Sequence, residues 1–261
     1  MTAPPATTPT SDDHALARRL ATEAGRMLVE LRADMAIQGA DPGAIKDAGD
    51  LASHRFIVET LAAERPDDAV LSEEGSDRGD HAGPPDRLSA LRTWIVDPLD
   101  GTREFGEPPR VDWAVHIALV IDGHPVVGAV ALPAEDLTLA TDAPPILGPA
   151  ADPPRVIVSR TRRPAPALRL AEELGAGYIE LGSAGAKAMA VVRGQADIYA
   201  HAGGQYEWDS CAPVAVASAA GLYCSRLDGS DLVYNNPDPY LPDLLVCRPE
   251  WAERCLEILN G

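Results

Sequence analysis

Lysine is nearly absent from this 261-residue chain: of 22 basic residues only Lys46 and Lys187 are lysines, and the rest are arginines. Paired metal-type cysteines are absent too. Cys211, Cys224, Cys247 and Cys255 form no CxxC, and no histidine stands at ligand spacing from them, which excludes a zinc site or a redox dithiol. Four scattered cysteines predict buried free thiols in a reducing cytoplasm. No apolar run reaches the roughly 18 residues that a membrane span needs. The opening MTAPPATTPT lacks the basic start and apolar stretch of a signal peptide and predicts a disordered tail over 1–10. No internal repeat or coiled-coil heptad is present. There is no G-x-S-x-G, and the run from Gly182 to Lys187 lacks Walker spacing, which excludes the serine-hydrolase and P-loop readings. Positive charge is also short: 22 basic residues against 40 acidic ones leave a formal −18. Such a chain repels nucleic-acid polymers and anionic membranes, so neither is expected as a partner.

Apolar residues make up 46%, an ordinary globular share that excludes collagen-like and wholly disordered chains. Ser11, Asp12 and Asp13 predict a helix start, followed by a stripe through Leu16, Leu20, Met27, Leu28, Leu31 and Met35. The glycines and proline of residues 38–50 predict a turn-rich stretch, and a second helix is expected over about 52–65. AVLSEEG predicts a short strand entering a loop, and GSDRGDHAGPPD a surface excursion. RTWIVDPLDGT predicts a buried strand stopping at Pro98. Residues 111–141 predict an antiparallel meander turning at Asp122-Gly123-His124. The proline-rich TDAPPILGPAADPP marks a predicted boundary between an α+β half, 11–150, and an α/β half, 151–261. In the second half strands RVIVSR, GYIEL, ADIYA and LLVC alternate with helices over 164–175, 183–193, 208–220 and 249–260. Met27, Met35 and Met189 are expected in the core.

The residues that carry chemistry are carboxylates. Glu73 and Glu74 close one strand, Asp97 and Asp100 end another within Asp97-Pro98-Leu99-Asp100-Gly101-Thr102, and Asp209 stands at a helix start. Two carboxylates in one turn repel and stay ionised together when a cation sits between them. Hard oxygen ligands of this kind suit Mg²⁺ with a substrate phosphate. Gly101 lets a ligand approach the backbone, and the Gly101 and Thr102 amides can hold an anion.

WIVDPLDGT resembles the first signature of the inositol monophosphatase superfamily of Mg²⁺-dependent, Li⁺-sensitive phosphatases. LSEEG lies upstream as that family's metal-ligand glutamate does. Trp208-Asp209-Ser-Cys-Ala-Pro-Val, running on to Ala219-Ala220-Gly221, resembles the second signature, and IKDAGD with Lys46 the N-terminal Lys/Asp loop. The resemblance implies an α/β fold, a five-layered αβαβα sandwich. It implies two or three Mg²⁺ ions held by Glu73, Asp97, the Leu99 carbonyl, Asp100 and Asp209. It also implies a water oriented by Thr102, phosphate on the amides of Gly101 and Thr102, and a homodimer. The chain departs from the family at Ser53-His54, where a Thr and an Asp are usual. Asp50 or His54 fills that role, and Asp50 is the expectation.

Arg103-Glu104-Phe105, Val158-Ser159-Arg160-Thr161 and Gly182-Ser183 with Lys187 resemble the CysQ-type branch, which serves sulfate assimilation by converting 3′-phosphoadenosine 5′-phosphate to AMP. Its substrate carries a second phosphate that needs local cations and amides, for which Ser159, Arg160, Gly182, Ser183 and Lys187 are the candidates. Inositol-1-phosphatase or fructose-1,6-bisphosphatase activity and a non-catalytic metal- or phosphate-binding role are the alternatives.

Overall fold

The computed structural model describes residues 8–76 and 87–261. Thr10 caps helix α1 (Ser11–Ile37), and Asp41 caps α2 (Pro42–Glu64) by accepting from the amides of Gly43 and Ala44. Strand β1 (Ala69–Ser72) leads into a single helical turn, α3 (Glu73–Ser76). Strand β2 (Arg92–Asp100), the short helix α4 (Thr102–Phe105), and strands β3 (Ala114–Ile121), β4 (His124–Leu132) and β5 (Leu137–Ala140) complete the first half. The second half runs β6 (Arg155–Ser159), α5 (Ala165–Glu173), β7 (Gly177–Leu181), α6 (Ala184–Val192), β8 (Ile198–Tyr206), α7 (Glu207–Ala219), β9 (Tyr223–Ser225), β10 (Tyr240–Cys247) and α8 (Pro249–Asn260).

Two five-stranded sheets result, ordered β1-β2-β3-β4-β5 and β7-β6-β8-β10-β9. Strand alternation sorts the side chains into layers. Val115, Ile117 and Leu119 of β3 face α1 and α2, whereas Ala114, Ala118 and Val120 join the core formed with α6 and α7. Ile157, Tyr199 and Val246 meet α6 and α7 from the second sheet, and Val156, Val158 and Ile198 face α5 and α8. The order is therefore α1/α2, sheet, α6/α7, sheet, α5/α8, the five-layered sandwich expected. The proline-rich crossing joins the two sheets, but the middle helices come from the second half and share one core with the first sheet.

Several expectations need correction. The second helix begins at Pro42 rather than near residue 52, so Lys46 and Asp50 stand on a helix and not in a loop. Proline at a helix's first position after an aspartate cap starts a helix rather than a turn, and Gly49 packs beneath the Phe105 ring. LSEEG ends in a helical turn rather than a loop. Strand β2 does not stop at Pro98 but continues to Asp100 through a register shift against β3, where a residue without an amide proton is tolerated. Met27 and Met35 are half-buried, whereas Met189 is in the core. Strand β9 was not anticipated. All four cysteines are free; Cys211, Cys247 and Cys255 are buried and Cys224 is half-buried. Residues 1–7 of the expected tail and 77–86 of the expected excursion lie outside the described residues. Among the described residues no helix is long and apolar enough to cross a membrane.

A buried ion-pair network locks α1 and α2 to the first sheet. Arg92 reaches Asp13 at 2.8 Å and Asp68 at 2.8 Å, Arg65 reaches Asp13 at 3.0 Å, and Trp94 Nε1 donates to Asp68 at 2.8 Å. Burial alone would raise the Asp13 carboxyl, but the Thr10 amide and the two guanidinium groups outweigh it and hold it at about 2. A depressed carboxyl stabilises above its unfolded pKa, and that contribution is lost as pH falls through its folded value. The Asp13→Asn variant is therefore expected to be less stable at pH 7 by about 2 kcal/mol, the difference shrinking from pH about 4 downward. Urea unfolding of both proteins across pH checks this.

Candidate active site

Three chain segments bring carboxylates together between the first sheet and the middle helices. Asp97 and Asp100 come from the bulged end of β2, and Asp209 from the first turn of α7. These three carboxylates each offer an oxygen within 4.8 Å of the others. Glu73, the first residue of α3, hydrogen-bonds Asp97. The bulge is held from outside: buried Ser53 of α2 donates to the Pro98 carbonyl at 2.7 Å, and the Leu99 amide donates to Asp97 at 3.1 Å. The Leu99 carbonyl accepts from Thr102 Oγ1 at 3.0 Å.

Crowding sets the charges. Burial first, and then the neighbouring carboxylates, raise Glu73 to about 8, Asp209 to about 7 and Asp97 well above its usual range. Asp100 is the exception, because donors outweigh its burial. It accepts from the amides of Ala184 and Gly185 at 3.1 and 2.6 Å, at the positive end of α6, and His116 Nε2 lies 3.1 Å away. His116 Nδ1 donates to the Trp208 carbonyl at 3.0 Å, so Nε2 needs a second proton to meet the carboxylate. Burial disfavours that charge, but Asp100 outweighs it and holds the imidazole above its ordinary value. His116 was missed in the sequence, where a histidine among the inward-facing residues of β3 was the available signal.

Asp50 comes to the site from α2, its carboxylate 3.4 Å from Thr102 Oγ1. Burial, then Glu74, raise it to about 7. His54 instead bonds Ser72 at 2.9 Å, tying α2 to β1. The usual Thr and Asp positions thus carry residues that brace the scaffold, and Asp50 supplies the carboxylate at Thr102. Lys46 partly offsets the charge around Asp50, and its stem crosses Gly106.

Gly101 has φ 82°, and a Cβ there would stand 2.8 Å from Ser183 Cβ, so the Gly101 turn and the start of α6 press together. The Ser183 hydroxyl caps α6 by accepting from Ala186 at 2.9 Å. Gly182 packs on Glu104 and donates to Asp112 at 2.6 Å. Lys187 is buried beneath this loop, donating to the carbonyls of Gly182 and Ser183, and burial lowers it to about 8. Arg160 pairs with Glu104 at 2.7 Å and Glu107 at 2.9 Å, and Ser159 Oγ lies 3.3 Å from Thr161. Arg162, passed over in the sequence, lays its guanidinium against Gly204.

The carboxylate cage fits a divalent cation. Asp97 and Asp100 are buried and Glu73 and Asp209 half-buried, and three of the four have a raised affinity for protons, so together they form a donor set whose repulsion such an ion removes. Raised carboxyls keep protons that the unfolded chain releases, so in chelator stability is expected to fall as pH rises from about 4 to about 8. Added Mg²⁺ should raise the melting temperature more at the upper end of that range than at the lower. Calorimetry with and without chelator measures both trends.

A profile of the inositol monophosphatase family matches residues 12–143 and 155–260. A 3′-phosphoadenosine 5′-phosphate phosphatase of Mycobacterium leprae is 47% identical over 261 residues, spanning 95% of this chain and 93% of its own length. A 3′(2′),5′-bisphosphate nucleotidase CysQ of Escherichia coli is 32% identical over 205 residues, spanning 74% and 81%. Among solved structures, inositol monophosphatase-II from Staphylococcus aureus matches with a TM-score of 0.76 at 21% identity, covering 97% of this chain and 95% of that one. The two motifs that build the carboxylate cage lie within the matched stretches, and the chain belongs to the inositol monophosphatase family.

Proposed function

We propose that this chain is a Mg²⁺-dependent phosphate monoester hydrolase that removes the 3′-phosphate of 3′-phosphoadenosine 5′-phosphate, giving AMP and phosphate. The observation that carries the reading is the convergence of Asp97, Asp100 and Asp209 beside the Thr102–Asp50 pair. The names of the relatives from M. leprae and E. coli select the nucleotide among phosphate esters.

Glu73, Asp97, the Leu99 carbonyl, Asp100 and Asp209 would hold the metal. A divalent ion there supplies positive charge against the phosphate and the developing leaving-group oxygen. Thr102 Oγ1 and Asp50 hold a water for in-line attack, and Asp50, held at about 7, accepts its proton. One water oxygen–phosphorus bond forms, the ester bond breaks, the ribose oxygen leaves and takes a proton from solvent water, and Asp50 returns its own proton to solvent. The amides of Gly101 and Thr102 hold the transferring phosphate. Lys46 tempers the charge at Asp50.

The second phosphate needs a cation outside the cage. Arg160, bound to two glutamates, belongs to this surface with Ser159, Gly182 and Ser183, and Lys187 lends its charge from beneath the loop. Two or three Mg²⁺ ions, Li⁺ sensitivity, a cytoplasmic location and a homodimer follow from the family resemblance and belong to the same proposal.

Phosphate release from 3′-phosphoadenosine 5′-phosphate, inositol 1-phosphate and fructose 1,6-bisphosphate tests the reading. The nucleotide is expected to have the highest kcat/KM, turnover is expected to require added Mg²⁺, and Li⁺ should inhibit it. Equal rates on the three esters would refute the nucleotide assignment; no release at any Mg²⁺ concentration would refute the enzyme. The Asp50→Asn variant is expected to lose kcat by about 10²–10⁴-fold at saturating Mg²⁺, in line with removal of a general base. Undiminished turnover would remove Asp50 from the water-activating pair.

A further inference from the structure

Beside the carboxylate cage the chain leaves an aromatic ledge open. The Tyr206 amide donates to Asp209 Oδ2 at 2.6 Å, so this residue is anchored to the cage itself. Its ring stacks on Trp208, with centroids 4.8 Å apart and planes within 7°. Tyr240, its cross-strand partner in β10, stands almost perpendicular, with centroids 5.8 Å apart at 83°. Trp208 is buried, yet Tyr206 and Tyr240 are 42% and 44% exposed. Arg162 packs on Gly204, two residues before Tyr206 in the same strand. The mechanism uses none of these rings. Folding ordinarily takes aromatic area out of water, so two open rings next to a polar site need a reason.

We propose that Tyr206, backed by Trp208 and flanked by Tyr240, selects substrates that carry a nucleobase. The flat heterocycle continues the Trp208–Tyr206 stack while its phosphate lies at the cage. A polyol or sugar phosphate has no π-face to offer this ledge. Every base has one, so the ledge favours nucleotides as a class and discriminates weakly among bases. This inference rests on the nucleotide reading above and deepens it.

The test compares kcat/KM for 3′-phosphoadenosine 5′-phosphate with that for glycerol 2-phosphate, a monoester without a base, in the Mg²⁺-loaded full-length protein. The ratio in the unsubstituted protein is measured first; a ratio near one overturns both the nucleotide reading and this inference. Given a high ratio, Tyr206→Ala is expected to lower it at least tenfold, within the range of stacking contributions. The loss should fall on KM, because stacking acts on bound substrate and transition state alike. Tyr206→Phe keeps the ring and should restore the ratio, and Tyr240→Ala should lower it in the same direction. Replacement of adenine by guanine in the substrate should change the ratio less than loss of the ring does. If Tyr206→Ala lowers turnover of both esters equally, the ring serves only to pack the start of α7 through Trp208 and the inference falls. If the ratio is unchanged while the nucleotide preference persists, the ledge does not touch the base and the inference alone falls.

Discussion

Repulsion among carboxylates is the constraint around which this molecule is organised. At the observed spacing, two unit charges oppose each other by roughly 3 kcal/mol at an effective dielectric of about 20. Several such pairs would rival the net stability of a whole domain. Two arrangements hold them. Asp100 is kept ionised by the α6 amides and His116, while burial and mutual repulsion raise the proton affinity of Glu73, Asp97 and Asp209. The scaffold thus tolerates the cage in a form that favours metal.

The five layers supply the rigidity this needs. The cage sits where the first sheet meets the middle helices, and neighbouring elements brace the segments that carry its carboxylates. Ser53 fixes the Pro98 bulge from α2, His54 fixes the approach to Glu73, and the Gly101 turn is pressed on the start of α6. The departure from the family at Ser53-His54 therefore concerns bracing. The acidic partner of Thr102 is supplied one helical turn earlier, by Asp50, on the same helix.

Much of the site was legible because its residues are short, local and chemically unusual. Asp97-Pro98-Leu99-Asp100-Gly101-Thr102 packs two carboxylates of the cage, a strand irregularity and a glycine turn into six residues, and order along the chain supplied Glu73 and Asp209. Local signals misled at residues 42–50, where glycine and proline suggested turns but an aspartate cap and packing against Phe105 sustain a helix. They also misled at Pro98, where the missing amide proton is absorbed by a bulge rather than ending the strand. His116 escaped notice because a lone histidine on a strand acquires meaning only from what faces it.

By itself the sequence determined the alternation of elements and which acidic residues are available for a cation, since hydrophobic period and motif chemistry are local properties; the five-layered sandwich was implied by the resemblance to the family rather than by any local signal. Only tertiary structure decided which charges meet. It placed the positive end of α6 on Asp100, buried Lys187 under its own loop, engaged Arg160 with glutamates and left the Tyr206 ring open beside Asp209. Those pairings depend on distances between residues remote in the chain, and electrostatic and stacking energies are set by distance and burial rather than by position in sequence.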